Sequence, residues 1–276
     1  MAAEETYEKL SMAGKVAVVT GGTQGLGEAT AHLFAERGAA GIVICGRNAE
    51  NGARVKSSLE AKGARTVYVK ADLADVQDCR KVIAEADKAF GHVDVLVNAA
   101  AITDRGTIWD TEPKLFDAMF AVNVRAPFFL MQDAAKLMKR ENRNGAMVNI
   151  ISMSGHGGQP FITAYCASKG ALITLTKNVA FSLMRHGVRV NGLCIGWTDT
   201  PGEDRIMKMY HDAADGWLQQ AEASLPFGRL LKPDEVARAT AYLSTDESGL
   251  MTGSIIDFDQ QVLGCYERAP QPAPLN

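Results

Sequence analysis

The chain has 276 residues, of which 47% are hydrophobic and 22% charged, with a formal net charge of −3. That is the balance of a soluble globular protein large enough to bury a sizeable core, and the lack of any basic cluster excludes partners such as nucleic acid or an anionic membrane. The five cysteines (Cys45, Cys79, Cys166, Cys194 and Cys265) form no C-x-x-C pair and lie mostly in apolar segments, so they read as reduced core thiols of a cytoplasmic protein, with no disulfide framework and no metal site. The acidic amino terminus has no apolar signal region, and no apolar run reaches membrane-spanning length.

Lys15 to Thr20 is a short β-branched run, followed at once by Gly21-Gly22-Thr23-Gln24-Gly25-Leu26-Gly27 and an alanine-rich helical segment ending near Gly38. Strand, glycine turn and helix is the context in which a backbone can approach a pyrophosphate, which then lies on the helix amino terminus. The pattern repeats. Gly41 to Cys45 predicts a second strand, followed by a charged helix from Ala49 to Lys62; Thr66 to Lys70 predicts a third, followed by a helix from about Val76 to Phe90. Val93 to Val97, Ala146 to Ile151, Val188 to Cys194 and Ser254 to Phe258 predict four more strands. Strands that are apolar on nearly every residue and alternate with helices imply a parallel sheet covered on both faces. The expected fold class is therefore α/β, a single Rossmann-like doubly wound domain with a seven-stranded, mostly parallel sheet. Its core spans about 14–264; a segment at 201–225, rich in Met, Tyr, His and Trp, and a tail at 265–276 stand outside the rhythm.

Tyr165 and Lys169 lie four residues apart in a stretch, Thr163 to Arg185, that reads as a helix, so the two side chains project from one face. An ammonium about 4–5 Å from a phenol, at an effective dielectric near 20, supplies roughly 3–4 kcal/mol, enough to bring the phenol toward neutral pH for acid–base work. Ser152, at the end of the Ala146 to Ile151 strand, can aim its hydroxyl at the same substrate oxygen.

With Thr20-Gly21-x-x-x-Gly25-x-Gly27, Asp72 in Ala-Asp-Leu, Asn98-Ala99-Ala100-Ala101, Asn123 in Val-Asn-Val, then Ser152, Tyr165 and Lys169, the chain resembles a short-chain dehydrogenase/reductase from about Gly14 to Gly264. The resemblance implies a catalytic tetrad of Asn123, Ser152, Tyr165 and Lys169, with Tyr165 as acid/base for hydride transfer between NAD(P)(H) and a carbonyl or secondary alcohol. It implies that Lys169 also binds the nicotinamide ribose and that Asn123 holds a helix distortion and a water. It places the cofactor against Gly21, Thr23, Gln24, Gly25, Leu26, Gly27, Arg47, Asn48, Asp72, Leu73, Asn98, Ala99, Ala100, Tyr165, Lys169, Gly196, Thr198 and Thr200. It also implies a helical lid over 201–225 and a homotetramer built on long helices from Glu112 to Arg140 and Thr163 to Arg185, with Phe128, Phe129, Leu172 and Leu175 available for burial.

The sequence departs from the family pattern in places. Ala99 and Ala101 replace an Asn and a Gly, Ile195-Gly196 replaces Pro-Gly, and Asp259-Gln260-Gln261 replaces Asp-Gly-Gly. At the end of the second strand the position that selects NAD when acidic is Gly46, followed by Arg47, which can pair with a 2′-phosphate. NADP(H) is therefore the expected cofactor, with NAD(H) possible. Ser154, His156, Gln159 and Trp197 are the candidate substrate contacts, and their polar edges suit a small-molecule substrate such as a sugar or polyol. A 3-oxoacyl-thioester (acyl-carrier-protein) reductase, kept open by Arg205 and Lys208, and a non-catalytic nicotinamide-sensing regulator are the alternatives.

Overall fold

In the computed structural model, which describes residues 10–265, seven strands pair in parallel throughout one sheet. They are β1 (Val16–Thr20), β2 (Gly41–Gly46), β3 (Arg65–Lys70), β4 (Val95–Asn98), β5 (Ala146–Ile150), β6 (Arg189–Ile195) and β7 (Ile255–Phe258), in the order β3-β2-β1-β4-β5-β6-β7. The helices are α1 (Gly25–Glu36), α2 (Ala49–Glu60), α3 (Val76–Phe90), α4 (Pro113–Phe120), α5 (Ala126–Arg140), α6 (Thr163–Leu183), α7 (Pro201–Tyr210), α8 (Trp217–Ala223) and α9 (Pro233–Ser244). The acidic amino terminus and, beyond Cys265, the carboxyl-terminal tail lie outside the described residues.

Successive strand residues point to opposite faces, so the apolar strands feed two cores. Val18, Val43, Leu96, Met147 and Val190 pack with Val82 of α3, Leu130 of α5 and Ala180 of α6. Ala17, Val19, Ile44, Val97 and Val148 pack on the other face with Phe34 of α1, Leu59 of α2 and Val236 of α9. Both faces are covered, as the continuous apolar runs require. The strand order reverses between β1 and β4, which opens a crevice at their carboxyl ends.

Two expectations are corrected. The helix expected from Glu112 to Arg140 is divided by a wide π-turn at Ala121–Arg125, in which the Ala126 N–H reaches back five residues to the Ala121 carbonyl. Pro127 explains the break: it has no N–H to give to the Asn123 carbonyl, and its ring crowds that oxygen. Of the positions expected at a subunit interface, Leu172 is 1% exposed and Leu175 packs against the core, so their own fold consumes them. Phe129 is likewise partly buried on the core, whereas Phe128 is exposed, as are Phe116 on α4 and Phe181 on α6.

Candidate active site

The crevice is the mouth of a cleft of about 660 Å³. Residues that follow the strands line it in turn: Gly21 after β1, Arg47 after β2, Asp72 and Leu73 after β3, Ala99 and Ala100 after β4, Ser152 after β5, Gly196 after β6 and Asp259 after β7. Thr20 ties the two central loops together, its hydroxyl accepting from the Ala99 and Ala100 N–H groups at 3.1 and 3.2 Å. The glycine turn leads into α1, whose N-cap residue, Gln24, makes no side-chain cap, so the first N–H groups of the helix are free to meet an anion. A Cβ at Gly25 would project into the gap toward Thr200, 3.8 Å away, in a backbone conformation with φ +55° that glycine adopts freely. This cradle fits the pyrophosphate of a dinucleotide.

Ser152, Tyr165 and Lys169 line the same cleft. Ser152, two residues beyond β5, opens a short 3₁₀ turn, its hydroxyl accepting from the Ser154 N–H at 3.2 Å, while α6 presents Tyr165 and Lys169 from consecutive turns. The Lys169 ammonium donates to the Ile150 carbonyl at 2.9 Å and lies 5.6 Å from the centroid of the Tyr165 ring. The electrostatics differ from the sequence expectation of a phenol tuned toward neutrality by its lysine. Burial pushes the Tyr165 phenol up to about 12, against a lowering hydrogen bond from Ser152, and Glu203 adds to the rise while Arg105 opposes it. Burial also pushes the Lys169 ammonium down to about 8. Desolvation is the largest influence on both groups and sets the direction of each shift.

Thr23, Gln24, Leu26, Gly27, Ser154, Gln159, Trp197, Thr198 and Thr200 line the same cleft. Thr198 donates to the Gly196 carbonyl at 2.9 Å, and Thr200 caps α7 by accepting from the Glu203 N–H at 3.1 Å. Four expected site residues are not on the cleft wall. His156 turns to the surface, where Nε2 lies 2.8 Å from Asp257 Oδ1 on β7. Asn48 caps α2, accepting from the Asn51 N–H at 3.0 Å. Asn98 is buried beneath its loop, donating to Asn149 Oδ1 at 2.8 Å. Asn123, 1% exposed within the π-turn, accepts from the Ile102 N–H at 2.8 Å and donates to Ser168 Oγ at 3.1 Å, bracing the loop after β4 against α6. The distortion implied for Asn123 is present; contact with the cleft is not.

Sequence reading missed Arg105 and Glu203. They line the cleft as an ion pair at 3.2 Å, with side chains only 14% and 16% exposed, and join the loop after β4 to α7. Tyr210, expected as a lid aromatic, reinforces this seam by donating to Asp104 at 3.0 Å, and Trp197 stacks on Trp217 with centroids 5.9 Å apart. The sequence signal at this position, Thr200-x-x-Glu203, reads as the start of a helix and gives no reason to place Glu203 in a cleft.

Comparison with known proteins agrees with this geometry. A family model described as enoyl-(acyl carrier protein) reductase matches residues 21–260. Galactitol 2-dehydrogenase of Agrobacterium fabrum is 32% identical over 89% of this chain and 96% of its own length. The 3-oxoacyl-[acyl-carrier-protein] reductase of Thermotoga maritima is 32% identical over 91% and 98%. A short-chain type dehydrogenase/reductase from Mycobacterium marinum superposes with a TM-score of 0.83 at 27% identity, covering 92% of this chain and 97% of its own. Among the described residues no helix is long and apolar enough to cross a membrane. Fold, cleft and relatives agree: the chain belongs to the short-chain dehydrogenase/reductase family of nicotinamide-dinucleotide-dependent oxidoreductases acting on CH–OH groups.

Proposed function

We propose that the protein interconverts a secondary alcohol and a ketone on a small polar substrate such as a sugar or polyol, preferring NADP(H). The observation that carries this reading is the convergence of Ser152, Tyr165 and Lys169 with the uncapped glycine turn on one cleft. The nicotinamide, when bound, supplies or accepts the hydride. Gly21 to Gly27, with Ala99 and Ala100, would hold the pyrophosphate region; Asp72 and Leu73 would face the adenine, and Gly196, Thr198 and Thr200 the nicotinamide end. Tyr165 gives its phenolic proton to the ketone oxygen during reduction and takes it back during oxidation. With its pKa above 10 the phenol carries its proton at neutral pH, the form that reduction requires, but the rise makes it a weaker acid that depends on Ser152 and Lys169 to stabilise the developing phenolate. Ser152 donates to the same oxygen, and Lys169 offsets charge that develops on the phenol.

A galactitol dehydrogenase among the relatives supports the polyol substrate, as does a lining that includes Ser154, Gln159 and Trp197. The second reading, a 3-oxoacyl-thioester reductase, has Arg205 on the cleft wall in its favour; Lys208, the other basic candidate, is paired with Asp204 at 3.1 Å. Assembly as a homotetramer belongs to the same proposal, with the exposed Phe128 as its support.

The test is hydride transfer followed by nicotinamide absorbance over sugars, polyols, keto acids and acetoacetyl thioesters, in wild type and Tyr165→Phe. The variant should bind dinucleotide normally and lose at least about a hundredfold in turnover, the contribution of a positioned acid–base group. Retention of more than a hundredth of wild-type activity would remove Tyr165 from its role.

A further inference from the structure

Glu203 stands on the first turn of α7 with its side chain against the cleft that holds Tyr165. Its position is fixed at both ends. The backbone N–H is held by Thr200 Oγ1, and Oε1 accepts from the Trp197 indole at 2.9 Å and from Arg105 Nη2 at 3.2 Å. Arg105 is itself braced, Nε donating to His211 Nε2 at 3.1 Å and Nη1 to the Thr103 carbonyl at 3.0 Å. The other oxygen, Oε2, has no hydrogen-bond partner among the described residues, and Glu203 lines the cleft with only 16% of its side chain exposed.

A carboxylate oxygen accepts and cannot donate. Held in place on the wall of the cleft that contains the reacting tyrosine, it welcomes an O–H, offers no donor to a carboxylate or phosphate, and gives nothing to an alkyl chain or a thioester. Because Arg105 already compensates its charge, a neutral hydroxyl suits it better than an ammonium. We propose that Glu203 is a specificity-determining residue whose Oε2 accepts a hydrogen bond from a second hydroxyl of the substrate, borne close to the reacting carbon. Neutral hydroxyketones and the corresponding diols and polyols are then the substrate class, and monofunctional or anionic ketones are rejected. The inference rests on the alcohol–ketone reading above and narrows its polar substrate to one with at least two oxygen functions, one of them a donor.

Three ketones of one size test it: acetone, hydroxyacetone and pyruvate, reduced by wild type, Glu203→Gln and Glu203→Ala. A hydrogen bond to a charged acceptor is worth roughly ten- to a hundredfold. Wild type should therefore favour hydroxyacetone over acetone in kcat/KM by at least about tenfold and should reject pyruvate. Glu203→Gln keeps the shape and an oxygen for Trp197 but turns a donor toward the cleft. It should gain relative activity on pyruvate, with dinucleotide affinity unchanged as a check that the cleft is intact, but it can still donate to the substrate hydroxyl. Glu203→Ala, which offers neither donor nor acceptor, should lose the preference for hydroxyacetone. A wild type that reduces acetone as efficiently as hydroxyacetone, or a Glu203→Ala variant that keeps the wild-type ratio, overturns the inference and leaves the dehydrogenase reading standing. Inactivity on every member of the wider panel described above would instead strike that reading itself.

Discussion

Lys169 carries an ammonium into a site that is only 2% exposed and receives one hydrogen-bond acceptor there, the Ile150 carbonyl. Its pKa falls from 10.5 to about 8, a displacement worth about 3 kcal/mol. Between those two values the unfolded chain binds more protons than the folded one, so the cost fades as pH rises through that window and is fully felt below it. Lys169→Met should therefore raise unfolding stability near neutral pH by about 1–2 kcal/mol, after loss of the carbonyl bond, and the gain should vanish near pH 10.5. The same variant should lose turnover and dinucleotide affinity. Urea melts across the pH range decide it: a variant less stable than wild type at neutral pH would show that the buried cation is a net support of the fold. Tyr165 has the opposite sign, its contribution being lost as pH climbs from 10 to about 12. At this scale the tyrosine–lysine pair was legible because four residues on a helix fix a shared face whatever the fold. Arg105 and Glu203 were not, since 98 positions separate them and only tertiary packing joins them. His156 misled for the complementary reason: a polar residue in a loop does not reveal which way it turns, and Asp257, 101 positions away, captures it.

The meeting of the glycine turn with the end of β2 bears on cofactor choice. A Cβ at Gly46 would lie 2.5 Å from Thr23 Oγ1, so the space where an acidic selector would stand is filled by Thr23 from the neighbouring turn. Arg47 lines the cleft just beyond it. Arg47→Ala should then reduce kcat/KM with NADP(H) by at least about tenfold, the loss of one charge-assisted hydrogen bond, and leave NAD(H) little changed. An equal effect on both cofactors would show that Arg47 does not face the 2′-phosphate. Introducing Asp at 46 is coupled to displacement of Thr23 and is the less direct experiment. The elements themselves were legible in outline: α3 falls at the expected Val76–Phe90, and β1 and β7 differ from expectation by one residue at their starts. Fully apolar strands and an amphipathic α3 leave little choice of period. The division of the helix before α5 was not foreseen from the residues, although Pro127 signals it, because a proline early in a helix is also a common start.

At the scale of the whole molecule, α4, α5 and α6 leave Phe116, Phe128 and Phe181 exposed at 43%, 41% and 75%. If these rings form a subunit interface, Phe181→Asp should split the assembly without unfolding the protomer, since the ring is outside the core. Sedimentation should then give a species smaller than wild type; a wild type that already sediments as a monomer of 29.6 kDa would end the homotetramer proposal. The sheet order carries a further implication, for synthesis on the ribosome. β1 can pair with β2 as soon as that strand emerges, but its other edge waits for Val95–Asn98, more than seventy positions later. During that interval an apolar, proline-free strand presents unpaired N–H and C=O groups to any neighbouring nascent chain. The loops around Thr20, Ala99 and Ala100 close in the same event, so the growing polypeptide loses its stickiest edge and gains the floor of its cleft together.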